Sequence, residues 1–159
     1  MTATHSISSL PPWLNIPPLH WAVSLGVGFA LHYGLDKPWM LGLPWPKSIG
    51  TGFEVLAVII VLWSVVCFQR AKTPLHPHHK PCRLIATGPF SFTRNPMYLS
   101  LLLLSIGIAY ELQGVLLWIA PLLYFASMNF VLIPCEERIL QGELGEDYRN
   151  YCRRVRRWI

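Results

Sequence analysis

From Leu56 to Phe68 the chain reads LAVIIVLWSVVCF, with no Asp, Glu, Lys or Arg. Extended back to Ile49, the stretch matches the roughly 20 residues a helix needs to cross about 30 Å of hydrocarbon. Backbone in lipid must satisfy its own hydrogen bonds, so such a run is read as a helix. Three further apolar stretches follow the same logic with less force. Leu19 to Leu35 is weakened by His20, Gly26, Gly28, His32 and Gly34. Pro96 to Tyr110 is short for a span, and Val115 to Pro134 is long enough. Only Glu111, Leu112, Gln113 and Gly114 separate the last two, which predicts an antiparallel helical hairpin. A soluble, buried hairpin is the alternative.

Composition favours the membrane. Charged residues make up 13% of the chain, about half the usual share for a soluble domain. The expectation is an all-α integral membrane protein of about four transmembrane helices with a C-terminal amphipathic helical tail. Residues 1–18 read as an irregular arm with Trp13 placed to meet headgroups. They hold no Lys or Arg and are broken by Pro11, Pro12, Pro17 and Pro18, unlike a signal peptide. Residues 19–159 read as one membrane-embedded domain. In the tail, Ile139, Leu140, Leu144, Tyr148, Tyr151 and Val155 recur near helical spacing. Gly145 is expected to divide it into two short helices lying on the headgroups.

The net charge of +5 suits either nucleic acid or an anionic leaflet; the apolar runs decide for the leaflet, and no nucleic-acid partner is expected. Between the second and third apolar stretches lie Arg70, Lys72, Lys80, Arg83 and Arg94. After the fourth come Arg138, Arg149, Arg153, Arg154, Arg156 and Arg157. The opposite side has Lys37 and Lys47. The positive-inside rule then places both termini in the cytoplasm, at an inner membrane. Cys67, Cys82, Cys135 and Cys152 all fall on that side and are expected to be free thiols.

Two polar stretches crowd the cytoplasmic surface. The first runs from Lys80 to Tyr98. Gly88-Pro89 marks a turn, Asn95 suits a helix cap and Pro96 the first helical position. A helix end there presents amides to a ligand carboxylate, with the Arg94 cation beside it. The bland reading is a capped helix whose Arg reaches lipid phosphate. The second stretch is Cys135-Glu136-Glu137-Arg138. Adjacent carboxylates directly after a membrane helix repel each other and need a cation. The bland reading has both solvated, or Glu137 paired with Arg138 or a tail arginine. Because both stretches flank the hairpin they must meet in space, and a zwitterionic, cationic amino-acid ligand suits such a site.

Other signals are weaker. His76, His78 and His79 are interrupted by Pro77, with no acid or Cys at ligand spacing, so no metal is expected. His32 reads as a packing residue, and Glu54 lies near enough to the outer boundary to reach water. No G-x-G-x-x-G or G-x-S-x-G pattern is present.

The same two stretches resemble the isoprenylcysteine carboxyl methyltransferase family in its short prokaryotic form and, more distantly, phospholipid N-methyltransferases. The matching features are Leu84-Ile85 with Gly88-Pro89-Phe90, then Arg94-Asn95-Pro96-Met97-Tyr98, then Glu136-Glu137 with Leu140, and Gly145 with Tyr148 and Tyr151. Together they cover residues 72–158. The resemblance implies S-adenosylmethionine at the cytoplasmic ends of the last helices, under the tail. It implies that Cys82, Arg83, Leu84, Ile85, Phe90, Asn95, Pro96, Met97 and Tyr98 line the cofactor and that Glu136 and Glu137 help hold it. Arg94 and Glu136 are the expected catalytic pair. Family members often have His at Asn95 and Gly at Ser100. Eukaryotic members carry a substrate-linked Arg where this chain has Leu132, which leaves the methyl acceptor open among lipophilic small molecules, prenylated groups and lipids.

Methyl transfer from a sulfonium is an in-line displacement that chiefly requires alignment, worth on the order of 7–11 kcal/mol. It needs no covalent protein nucleophile. Two alternatives stand beside it: an NADPH-dependent sterol-type reductase using Arg153 to Arg157 for phosphate, and a non-catalytic membrane scaffold.

Overall fold

The computed structural model describes residues 16–35, 40, 42, 46–71 and 84–159. Among the described residues there are five α-helices: α1 (Pro17–Gly34), α2 (Ser48–Arg70), α3 (Pro96–Leu112), α4 (Ile119–Ser127) and α5 (Ile133–Arg154). Single 3₁₀ turns precede α3 and α4, at Gly88–Ser91 and Val115–Trp118. No strand occurs among the described residues; Met40 and Gly114 form an isolated bridge.

The hairpin is present. α3 ends at Gln113, whose left-handed φ of 53° closes the helix, and the chain turns at once into α4. α2 packs on α3, and α1 packs on α4. The Trp21 indole of α1 reaches across to donate to the Ser105 hydroxyl of α3 at 2.9 Å. The core centres on Tyr124, Met128, Leu132 and Ile133, with Trp21, Tyr98, Leu101, Leu102 and Trp158 against them.

Two helical stretches are long and apolar enough to cross a membrane: α2 and the continuous run Val115–Arg154. In the latter the apolar part ends at Pro134, and α5 beyond it is polar. α3, with 17 residues, spans about 25 Å at 1.5 Å per residue. α1, with its histidines and glycines, does not qualify. Of the four expected spans, two meet this test of length and composition among the described residues. Only 17% of α2's apolar stretch is buried within the protein. Val55, Val58, Ile59, Leu62 and Trp63 lie exposed on α2, and Val23, Val27 and Leu31 on α1. Apolar surface this continuous marks a membrane or protein contact rather than a water-facing one, which favours the membrane reading over the soluble hairpin.

Between α4 and α5 the backbone widens to a π-turn at Met128–Leu132. Pro134 follows directly, and a proline has no N–H to give to the preceding turn. Such a widening re-aims everything after it and recurs at functional sites. At Gly145 (φ 55°, ψ −122°) the helix breaks, a conformation glycine adopts without a Cβ penalty. The tail is thus two short helices, as expected. Tyr148, Tyr151 and Val155 pack against Leu84, Ala86, Leu140 and Leu144, so the apolar face expected on headgroups is folded onto the protein.

Candidate functional site

The loop before α3 is fixed first. Gly88 has a φ of +62°, and a Cβ there would stand 2.7 Å from Cys67 Sγ and 2.9 Å from Trp63 Nε1. Only glycine lets this turn press on the end of α2. Phe90 is buried and meets Phe68 edge-on, with centroids 5.4 Å apart. Its carbonyl accepts a hydrogen bond from the Tyr151 hydroxyl at 2.7 Å. Phe90 therefore joins loop, α2 and tail from the inside.

The tail's last residues close over this loop. The Arg94 amide donates to the Arg156 carbonyl at 3.0 Å. The Arg157 carbonyl accepts from Asn95 Nδ2 at 2.9 Å and from the Thr93 hydroxyl at 3.3 Å. Asn95 consequently makes no side-chain cap on α3, contrary to the sequence expectation. The bond from its Nδ2 to the Arg157 carbonyl fixes the side chain on the tail instead of over the first-turn amides. The amides expected to receive a carboxylate are largely engaged as well. Asn95 donates to Thr93 Oγ1 and Tyr98 to the Asn95 carbonyl, and Pro96 has none.

The two glutamates part company. Glu137 Oε2 receives Arg157 Nη2 at 2.6 Å, and its Oε1 receives Arg157 Nε at 3.1 Å, a bidentate pair. Arg94 Nη1 stands 3.2 Å from the same Oε1 and also contacts Cys152 Sγ. Glu137 holds Arg157 in its charged form, raising its proton affinity. Asn129 extends the cluster, accepting from Arg157 Nη1 at 3.2 Å and from Trp158 Nε1 at 3.1 Å.

Glu136, just past the apolar segment, turns inward. Its Oε1 accepts the Tyr98 hydroxyl at 2.6 Å, joining the first turn of α3 to the first turn of α5. Burial pushes its carboxyl up to about 7. The Tyr98 hydrogen bond pulls it down, and the Glu137 charge pushes it up again. Among the described residues no cation pairs with Glu136. A carboxylate held out of water, bonded to the Tyr98 phenol and near the Tyr124 phenol, favours an incoming cation.

An open cleft of about 300 Å³ lies alongside, lined by Arg94, Glu137, Gln141, Tyr148, Arg149, Cys152 and Arg153. Neither Tyr98 nor Glu136 is in its wall.

Of the sequence-predicted residues, the structure brings together Tyr98 with Glu136 and Arg94 with Glu137, and it ties Asn95 to the tail. Leu84 rests on the tail helix, with Ile85 half-buried beside it. Pro96 is buried and Met97 partly so. Cys82 and Arg83 lie outside the described residues, as does the His76 to His79 run. Cys67, Cys135 and Cys152 are free thiols. Arg157 and Asn129 escaped notice as individuals, although a tail arginine on Glu137 was among the readings. A lone Asn in an apolar run was the available signal for Asn129. The arginines meant for a nicotinamide phosphate disperse: Arg157 goes to Glu137, while Arg153 and Arg154 bond to Asn150.

The phospholipid methyltransferase family model matches residues 46–147, the stretch that contains α2, the hairpin and both glutamates. The chain belongs to the phospholipid methyltransferase family. It is a membrane methyltransferase by that membership. An uncharacterized protein of Haemophilus influenzae is 36% identical over 63 residues, covering 40% of this chain and all of that protein. No solved structure matches significantly. The tail's latch, from Tyr148 to Trp158, lies beyond the family match, so its assignment rests on geometry alone.

Proposed function

We propose that the chain transfers a methyl group from S-adenosylmethionine to a lipophilic acceptor at the cytoplasmic face of the inner membrane, with both termini on that side. The observation that carries this reading is the Tyr98–Glu136 pair, 2.6 Å apart and drawn from opposite arms of the hairpin. A buried, uncompensated carboxylate fits a cofactor bearing an ammonium and a sulfonium, and would be costly without one. Bound S-adenosylmethionine supplies an electrophilic methyl group, whose carbon–sulfur bond breaks as the acceptor's lone pair forms the new bond.

Glu136 accepts the cofactor's ammonium, and Tyr98 fixes the direction of that carboxylate. Glu137 does not share the task. Its oxygens bind Arg94 and Arg157, and it acts by locking the tail over the loop. Among the described residues, the Met97 amide is left at the start of α3 to take a carboxylate. Leu84 and Ile85 supply an apolar wall. Arg94 is a positioning residue, buried to 14% side-chain exposure between Glu137 and Cys152. The apolar outer faces of the helices admit the acceptor laterally and keep water from the reacting atoms. A labelled-methyl transfer assay against membrane-lipid and prenylthiol extracts tests this. Incorporation into either is expected; none in either, from protein that is folded, would contradict it.

A further inference from the structure

The cleft beside the site has a character of its own. Its wall carries three guanidinium groups, Arg94, Arg149 and Arg153, against one carboxylate, Glu137. That carboxylate is already divided between Arg94 and Arg157. Arg153 makes one long contact, to Asn150 Oδ1 at 3.4 Å. Arg149 pairs with Glu146 where both side chains are more than half exposed, an arrangement worth little in water. Gln141 adds an amide and the buried Tyr148 a phenol. The wall thus offers several N–H donors and an uncompensated positive charge, which is the chemistry of an oxyanion site.

Depth in the membrane narrows the oxyanion. Arg94 lies two residues before α3 begins, and Gln141 seven residues past Pro134, where the apolar run stops. Seven helical residues rise about 10 Å, just beyond the roughly 5–8 Å headgroup layer implied on each side of the hydrocarbon, a distance that long arginine side chains reach back across. An oxyanion met at that depth belongs to a lipid.

We propose that this cleft binds the phosphodiester of an anionic phospholipid, with Arg149 and Arg153 as its principal ligands. The site is separate from Glu136 and does not depend on which acceptor is methylated. An anionic lipid held here anchors the second tail helix to the leaflet, over the loop that precedes α3.

The test is native mass spectrometry of the delipidated full chain in detergent, titrated in turn with phosphatidylglycerol, phosphatidylcholine and inorganic phosphate. Phosphatidylglycerol is expected to bind most tightly. The double variant Arg149→Gln/Arg153→Gln should weaken it roughly thirtyfold, two arginines at about a factor of five each, and leave phosphatidylcholine unchanged. Arg138→Gln, on the same tail but outside the cleft, should have no effect and so separates the site from general basic charge. Equal phosphatidylglycerol affinity in wild type and double variant would overturn the proposal. So would an equal loss in Arg138→Gln, or tight binding of inorganic phosphate with no preference for the lipid.

Discussion

Glu136 and Glu137 are neighbours in sequence and opposites in circumstance. Glu137 meets two guanidiniums and sits at the hub of a latch made by Arg94, Asn129, Arg157 and Trp158. Glu136 is turned into the bundle and accepts a single hydrogen bond, from the Tyr98 phenol. Charge that is fully matched within the protein holds structure together. Charge left unmatched in a dry setting is available to a ligand, and the protein keeps it at a cost in stability. On the proposed reading Glu137 serves the latch, and Glu136 is left for the cofactor.

The comparison breaks if the two substitutions behave alike. Glu137→Gln should be the most damaging to the fold, since it strips the charge that two partly buried arginines share. A loss of about 2–3 kcal/mol is expected, read as a lower Tm in detergent and faster proteolysis of the tail after Gly145. An unchanged Tm would show that the latch is ornamental.

Next comes pH. Burial pushes the free Glu136 carboxyl up to about 7; on the proposed reading the cofactor's ammonium needs it ionised, so binding should expel a proton. Affinity should therefore rise with pH through 7 and level off above 8, and it should be about tenfold weaker at pH 6 than on the plateau. A flat profile between pH 6 and 8 would remove Glu136 from the coupling. Of similar size is the effect of Tyr98→Phe. It deletes one hydrogen bond to a charged group, worth about 1.5 kcal/mol or somewhat more, for an expected loss of roughly tenfold or a little above in cofactor affinity. Because that bond lowers the Glu136 carboxyl's titration point, the midpoint of the pH profile should also move upward. A downward move would contradict the assigned geometry.

Much of this arrangement was legible in the chain. The run from Ile49 to Phe68 became α2, the four-residue link became a tight hairpin, and Gly145 broke the tail where its sequence position suggested. The juxtaposition of the Arg94 stretch with the glutamates also followed from the hairpin. What escaped was set by tertiary competition. Asn95 is a good cap by composition, but the Arg157 carbonyl, 62 residues away, claims its side chain. The amphipathic tail has the pattern of a headgroup helix, yet the Tyr151 hydroxyl finds the Phe90 carbonyl and folds that face inward. The division of labour between the glutamates depends on the π-turn at Met128–Leu132, and no periodicity announces which way the next two side chains will point. α1 and α3 were read as spans from apolarity, but length and polar content leave them short of that test.

The most direct measurement is calorimetric titration of S-adenosylmethionine into purified wild type and Glu136→Gln at pH 8. The buried carboxylate is isosterically replaced, so the Tm should hold or rise while affinity falls by about a hundredfold, the scale of losing one partner of a desolvated charge pair. Equal affinity in the two proteins, or binding lost only together with the fold, would contradict the account.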